Sequence, residues 1–201
     1  MIQMIIAGGW MMIPIALCSV LGVAIILERF FYFRHLGYES EANRIITLTE
    51  QRKFTDALAI AEQQPKPLLR VLAAGIMKRG ELPEKAMEAA SIAELAKMKR
   101  GLSALDTIIT LGPLLGLLGT IVGMIDSFGI MAESGLGQPH AVTGGVAEAL
   151  VCTAAGIFVA VTTLIPYNYF LAGVEQETER MEQYATHMES ALAAENRQSH
   201  S

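Results

Sequence analysis

"EALVCTAAGIFVAVTTLIP", residues 148–166, opens on the carboxylate of Glu148 and then runs 18 residues without another charge. Hydroxyls interrupt it at Thr153, Thr162 and Thr163. On a helical wheel, Glu148, Ala149, Cys152, Thr153, Gly156, Ala160 and Thr163 fall within about 140° of arc. Leu150, Ile157, Phe158, Val161, Leu164 and Ile165 fill the opposite side. Val159 intrudes on the small face, and Thr162 lies just outside it. One side of this helix is small and hydroxylated; the other is bulky.

Moving toward the N-terminus, "LSALDTIITLGPLLGLLGTIVGMIDSF", residues 102–128, repeats the design. Gly112, Pro113, Gly116, Gly119, Thr120, Gly123, Asp126 and Ser127 share one arc, against Leu111, Leu114, Leu115, Leu118, Ile121, Val122 and Ile125. Ile109 breaks the pattern near one end. A third apolar run, "WMMIPIALCSVLGVAIIL", covers residues 10–27. Its 18 uncharged residues make about 27 Å of helix, close to a hydrocarbon core. A cleaved signal peptide fits poorly, because no basic segment precedes the run and no small-residue cleavage site follows it. The aromatic and cationic "ERFFYFRH" that comes next suits a helix emerging through an interface. Pro14, Pro113 and Pro166 sit in or near the spans, where neighbouring membrane helices can re-satisfy freed carbonyls.

Composition agrees. Of 201 residues, 52% are hydrophobic and only 17% charged, which is low for a soluble globular surface. The net charge of −5 is mild, and no basic cluster carries interleaved aromatics, so no nucleic-acid partner is expected. Cys18 and Cys152 lie inside apolar runs, where they read as small hydrophobes rather than disulfide partners. His35, His140, His187 and His200 show no metal-ligand spacing. With no nucleotide-binding loop and no nucleophile signature, the sequence predicts neither catalytic residues, metal nor cofactor, and a protein that is not an enzyme.

Lysine and arginine orient the spans. None precedes the first and none lies between the second and third, whereas thirteen of the fifteen fall between Arg29 and Arg100. Those nearest the spans (Arg29 and Arg34; Lys97, Lys99 and Arg100) agree in placing the large loop inside. The expected fold is therefore an all-α integral membrane protein with a periplasmic N-terminus and a cytoplasmic C-terminus. Its segments are an outer N-terminus (1–9), three transmembrane helices (10–30, 102–128 and 145–170), an inner helical loop (31–101), an outer loop (129–144) and an inner tail (171–201). Within the inner loop, "EANRIITLTEQRKFTDALAIAEQ" reads as helix and breaks at "QQPKP". Pro83 and the acidic residues after it mark another helix start.

The polar stripes admit two readings. Glycines every three or four positions let membrane helices approach closely, and "GPLLG" has that spacing. A threonine can also bond its own preceding turn. Acidic groups are harder to absorb into packing, since an ionised side chain at the bilayer centre costs roughly 2.5–3.5 kcal/mol. Glu148 falls near the outer end of its helix, on the face of Thr153. Asp106 falls near the inner end of its own, where an interfacial position serves equally well. A carboxylate with hydroxyls on a narrow stripe can hold a short chain of waters for a proton.

At "LGPLLGLLGTIVGMIDSF" and "VAEALVCTAAGIFVAVTTLIPYN" the sequence resembles the ExbB/TolQ/MotA family of proton-channel motor subunits, and "AGGWMMIPIALCSVLGVAIILERFFYFRH" is similar to the opening of short ExbB-type members. The resemblance implies a pentamer in the bacterial inner membrane whose second and third helices line a pore. It implies a single-span ExbD/TolR-like partner with a membrane aspartate in that pore, and a TonB-like protein that carries work to the outer membrane. The family's pore threonines match Thr120 and Thr153, and its pore glutamate matches Glu148. On this reading Gly112, Pro113, Gly116, Gly119, Gly123, Gly156 and Ala160 form the packing or pore face, with Asp106, Asp126 and Thr163 as further polar candidates. Two features depart from relatives: the short stretch before the first span differs from long ExbB members, and three spans differ from the four of flagellar MotA. The alternatives are a TolQ-like role in envelope maintenance, and a passive scaffold that conducts no protons.

Overall fold

The computed structural model describes residues 9–34, 39–134 and 139–198, all of the ordered elements being helices. Residues 1–8 and 135–138, within the expected outer segments, and His35 and His200 lie outside the described residues. In chain order the helices are α1 (Met12–Arg34), α2 (Glu39–Glu50), α3 (Phe54–Gln63), α4 (Pro67–Met77), α5 (Pro83–Lys99), α6 (Leu102–Ser134) and α7 (Pro139–Gln198). Among the described residues, three helical stretches (Met12–Arg34, Pro83–Ala132 and Thr143–Ala193) are long and apolar enough to cross a membrane. The chain is a multi-pass, all-α membrane protein.

Two compact units divide it: Met1–Phe30 with Gly101–Phe170, and Phe31–Arg100 with Leu171–Ser201. The first unit holds the apolar helices. A turn precedes α1, with the Met12 N–H donating to Gly9 O and the Ile13 N–H to Trp10 O, both at 3.2 Å. Pro14 then falls in the first turn, where a missing N–H leaves no helical bond unmade. Met11, Met12 and Ile15 bury themselves against Ile108 of α6 and Cys152 and Val159 of α7. Outward the same helices present Ile13, Leu17, Val20, Leu114, Leu118, Ile121, Phe158 and Ile165, all exposed. So large an apolar surface is tolerable only in a lipid or protein environment. Gly101, at φ +83°, turns the chain into α6 in a left-handed conformation. A methyl there would also press within 3.2 Å of Ile25.

The second unit is built differently. Its centre is α4, whose Leu68, Leu69, Val71, Leu72 and Ile76 are fully shielded. Around it pack α5, α2 and α3, contributing Met87 and Met98, Ala42 and Ile45, and Ala57 and Ala61. Pro67 and Pro83 sit in the first turns of α4 and α5. The break between α2 and α3 comes at Arg52, a non-glycine residue at φ +60°. There the Lys53 N–H reaches back to Leu48 O at 2.9 Å, closing the helix end. Beyond residue 170, α7 buries Val174, Glu177, Met181, Met188 and Leu192 at three-, four- and seven-residue intervals.

Candidate functional site

The small faces of α6 and α7 meet each other within one copy of the chain. Gly112 lies against Gly156 so closely that a Cβ on Gly112 would sit 2.8 Å from Gly156 O, and one on Gly156 would overlap Gly112 O. Going toward the outer ends assigned from the sequence, a Cβ placed on Gly116 would lie 3.0 Å from Thr153 Cα, one on Gly119 2.7 Å from Cys152 Cβ, and one on Gly123 3.0 Å from Ala149 Cβ. One set of numbers climbs as the other falls, so the helices run antiparallel in a regular register. No residue larger than glycine fits at the tightest of these crossings, which explains the three- and four-residue spacing. Ala160 is buried beside Gly112. Pro113 is half-buried within α6, where its ring removes the donor that would serve Ile109 O.

Hydroxyls are committed in distinct ways. Thr153 Oγ1 donates across the seam to Gly116 O at 3.0 Å. Thr120 Oγ1 donates to Leu117 O of its own helix at 2.7 Å. Thr163, buried, donates to Val159 O at 2.7 Å and touches the position of Gly22 on α1. Ser127, also buried, donates to Gly123 O at 2.7 Å and lies against Gly145. A hydroxyl has one proton to give and two lone pairs to offer. With their protons given to carbonyls, Thr120 and Thr153 retain acceptor capacity only, and both remain partly accessible.

The acidic groups separate. Glu148 is half-buried and lines a small crevice, about 20 Å³, with Asp126, Trp10, Met11, Gly119 and Cys152. That is room for a single water. Gly9, at φ +63°, closes over the Glu148 carboxylate: any side chain there would collide with Oε1. Asp126 is exposed at the crevice edge. Asp106 is exposed near the start of α6 and is not part of that crevice. Among the described residues no group of His, Cys, Asp and Glu is arranged to hold a metal ion.

Sequence reasoning found the two small faces but not that Thr153 bridges them, nor the cover that Gly9 and Trp10 place on Glu148. The first had a signal: Gly116 and Thr153 occupy facing positions once an antiparallel register is assumed. The second had none, because it depends on where a turn from another helix arrives.

Comparison with known proteins identifies the lineage. Residues 63–183 match the family described as the MotA/TolQ/ExbB proton channel family. An ExbB-like biopolymer transport protein of Synechocystis sp. is 34% identical over 171 residues, 82% of this chain and 81% of its own. A biopolymer transport protein ExbB homolog of Methanothermobacter thermautotrophicus is 30% identical over 90% of this chain and 66% of its own. The Tol-Pal system protein TolQ of Pseudomonas aeruginosa is 34% identical over 54% of this chain and 47% of its own. The chain belongs to the MotA/TolQ/ExbB proton channel family.

Proposed function

We propose that the chain is the ExbB-like proton-channel subunit of an inner-membrane motor driven by the proton-motive force. In this reading several copies, five by the family resemblance, surround a single-span ExbD/TolR-like partner bearing a membrane aspartate, and a TonB-like protein takes up the work for outer-membrane import. The N-terminus faces the periplasm, and residues 31–101 and 171–201 extend into the cytoplasm. The protein carries out no chemical catalysis of its own. The observation that carries the reading is the seam: Thr153 and Thr120 stand on two antiparallel membrane helices with their protons already given to Gly116 O and Leu117 O.

Hydroxyls set in this way accept hydrogen bonds and do not donate them. They stabilise a protonated aspartic acid, which has an O–H to give, and not a carboxylate, which has none. A partner acid is thus held while neutral and released on ionising, a bias that can couple protonation to movement. Glu148, at the outer end with a one-water crevice, gathers protons ahead of the threonines. Each proton crossing 100 mV releases about 2.3 kcal/mol, so a few per cycle are needed for useful mechanical work.

Thr153→Val and Thr120→Val are expected to abolish siderophore-dependent growth while the protein still inserts, whereas Thr153→Ser retains function. Unchanged growth of both valine variants removes the reading. The TolQ relative favours a second assignment, the same motor serving the Tol-Pal system. Rescue of a strain lacking one system but not the other separates them. The tightness of the glycine seam equally suits a passive scaffold, for which growth survives both valine substitutions.

A further inference from the structure

The second unit carries a groove that the proton pathway does not use. It has a volume of about 410 Å³ and lies between α5 and the tail portion of α7. Its floor is apolar: Met87 and Met181 are buried, Leu95 is half-buried, and Ile92 is 63% exposed. Its rim is acidic, with Glu84 and Glu88 on α5 facing Glu182 and Glu189 on α7.

The lining residues recur at three- and four-residue steps from Glu84 to Leu95 and again from Thr178 to Glu189. Each stripe therefore covers about three helical turns, or about 16 Å. Glu84 and Glu189 lie close enough that their charges repel. Partial burial first, and the Glu84 charge second, push the Glu189 carboxyl above its ordinary range. None of the four rim carboxylates forms an ion pair among the described residues.

Many of this unit's own cations are already engaged. Arg70 and Lys97 hold Glu94 at 3.2 and 2.6 Å, Lys78 pairs with Glu81, Arg180 with Glu177, and Arg79 lies over the Phe54 ring. The chain as a whole carries 20 acidic against 15 basic residues. A second copy is thus a poor electrostatic match for the rim, and an anionic lipid headgroup is a worse one.

We infer that this groove docks a basic amphipathic helix of about three turns from a different protein, its apolar side seated on Met87, Ile92 and Met181 and its lysines or arginines on the rim carboxylates. Occupancy brings a cation to the Glu84–Glu189 end and relieves the repulsion there. The inference stands apart from proton conduction, since no residue of the α6–α7 seam takes part.

The test uses the full chain in phosphatidylcholine nanodiscs with a fluorescein-labelled synthetic peptide of about twelve residues. The peptide carries leucine and isoleucine on one helical face and lysine and arginine along its flanks; a scrambled peptide of equal composition is the control. Fluorescence anisotropy is expected to show saturable binding of the first peptide. Combining Glu84→Gln with Glu189→Gln, or introducing Ile92→Ser, should weaken it at least about ten-fold, while Glu81→Gln leaves it unchanged. Equal affinity for both peptides, or for all variants, overturns the inference. A photo-crosslinking residue at position 92 in native membranes gives the second measurement. Adducts whose sequenced peptides contain a basic amphipathic stretch of another protein support it; adducts only with further copies of this chain, or no adducts, overturn it.

Discussion

The two units hold their helices together by opposite means. Between α6 and α7 the contact is made by the absence of side chains: Gly112 against Gly156, Gly116 against Thr153, backbone on backbone. Around α4 it is made by their presence, with Leu68, Leu69, Leu72 and Ile76 buried among methionines and isoleucine. The difference matches what drives helices together in an apolar and in an aqueous solvent. Lipid tails are as apolar as leucine, so burying leucine between membrane helices gains little, and close packing with interhelical hydrogen bonds must supply the attraction. In water, removing apolar area contributes about 25 cal/mol per Å². Polar groups follow the same division. The seam places a neutral hydroxyl on a carbonyl, whereas the second unit buries the charged Glu94 under Arg70 and Lys97.

This contrast can be broken most severely at Gly156. Gly156→Leu drives a branched side chain into Gly112 O and is expected to cost about 3 kcal/mol or more, eliminating the folded form seen by protease resistance in membranes. Gly129, on α6, where an added Cβ would meet nothing within 4 Å, is the internal control. Gly129→Ala should stay within about 1 kcal/mol of the parent. If both substitutions behave alike, close backbone approach is not what joins these helices.

Leu72→Ala attacks the other mode. It removes a fully buried side chain and should lower stability by about 2–5 kcal/mol, read by denaturant unfolding of the second unit with the seam unaffected. Gly101→Ala is smaller. A left-handed backbone costs an L-residue about 1–2 kcal/mol, with the crowding of Ile25 added. A loss smaller than that for Gly129→Ala would show that the turn relaxes.

Glu177 sharpens the comparison through pH. Its carboxyl is 6% exposed, and its Oε2 has no hydrogen-bond partner among the described residues. Burial pushes it above its ordinary range, with Arg180 opposing. A carboxyl raised in the folded state favours folding below its unfolded value and loses that contribution as pH rises through the folded one. Glu177→Gln should therefore raise the melting temperature at neutral pH, and the gain should shrink as the medium is acidified. A pH-independent change would trace the effect to packing.

Much of this architecture was legible from residue patterns. Three apolar runs of membrane length gave three long apolar helices, and the alternation of small and bulky faces on α6 and α7 marked where they would be buried. Pro83 announced the start of α5. Other features were hidden for identifiable reasons. Pro67 reads as the end of the break at "QQPKP" and the pattern marks no helix over 68–77, although burial makes Pro67–Met77 the centre of the second unit. The turn at Arg52 carries no glycine, so the stretch before "QQPKP" read as one helix where there are two.

What the sequence determined by itself is the class of molecule, because hydropathy and helical period depend only on local composition and chain geometry. Which way each polar group is used was decided only in three dimensions. Thr153 bonds the neighbouring helix and Thr120 its own, and a turn from α1 closes over Glu148, because a hydrogen bond or a crevice exists only where a second backbone arrives at the right depth and angle.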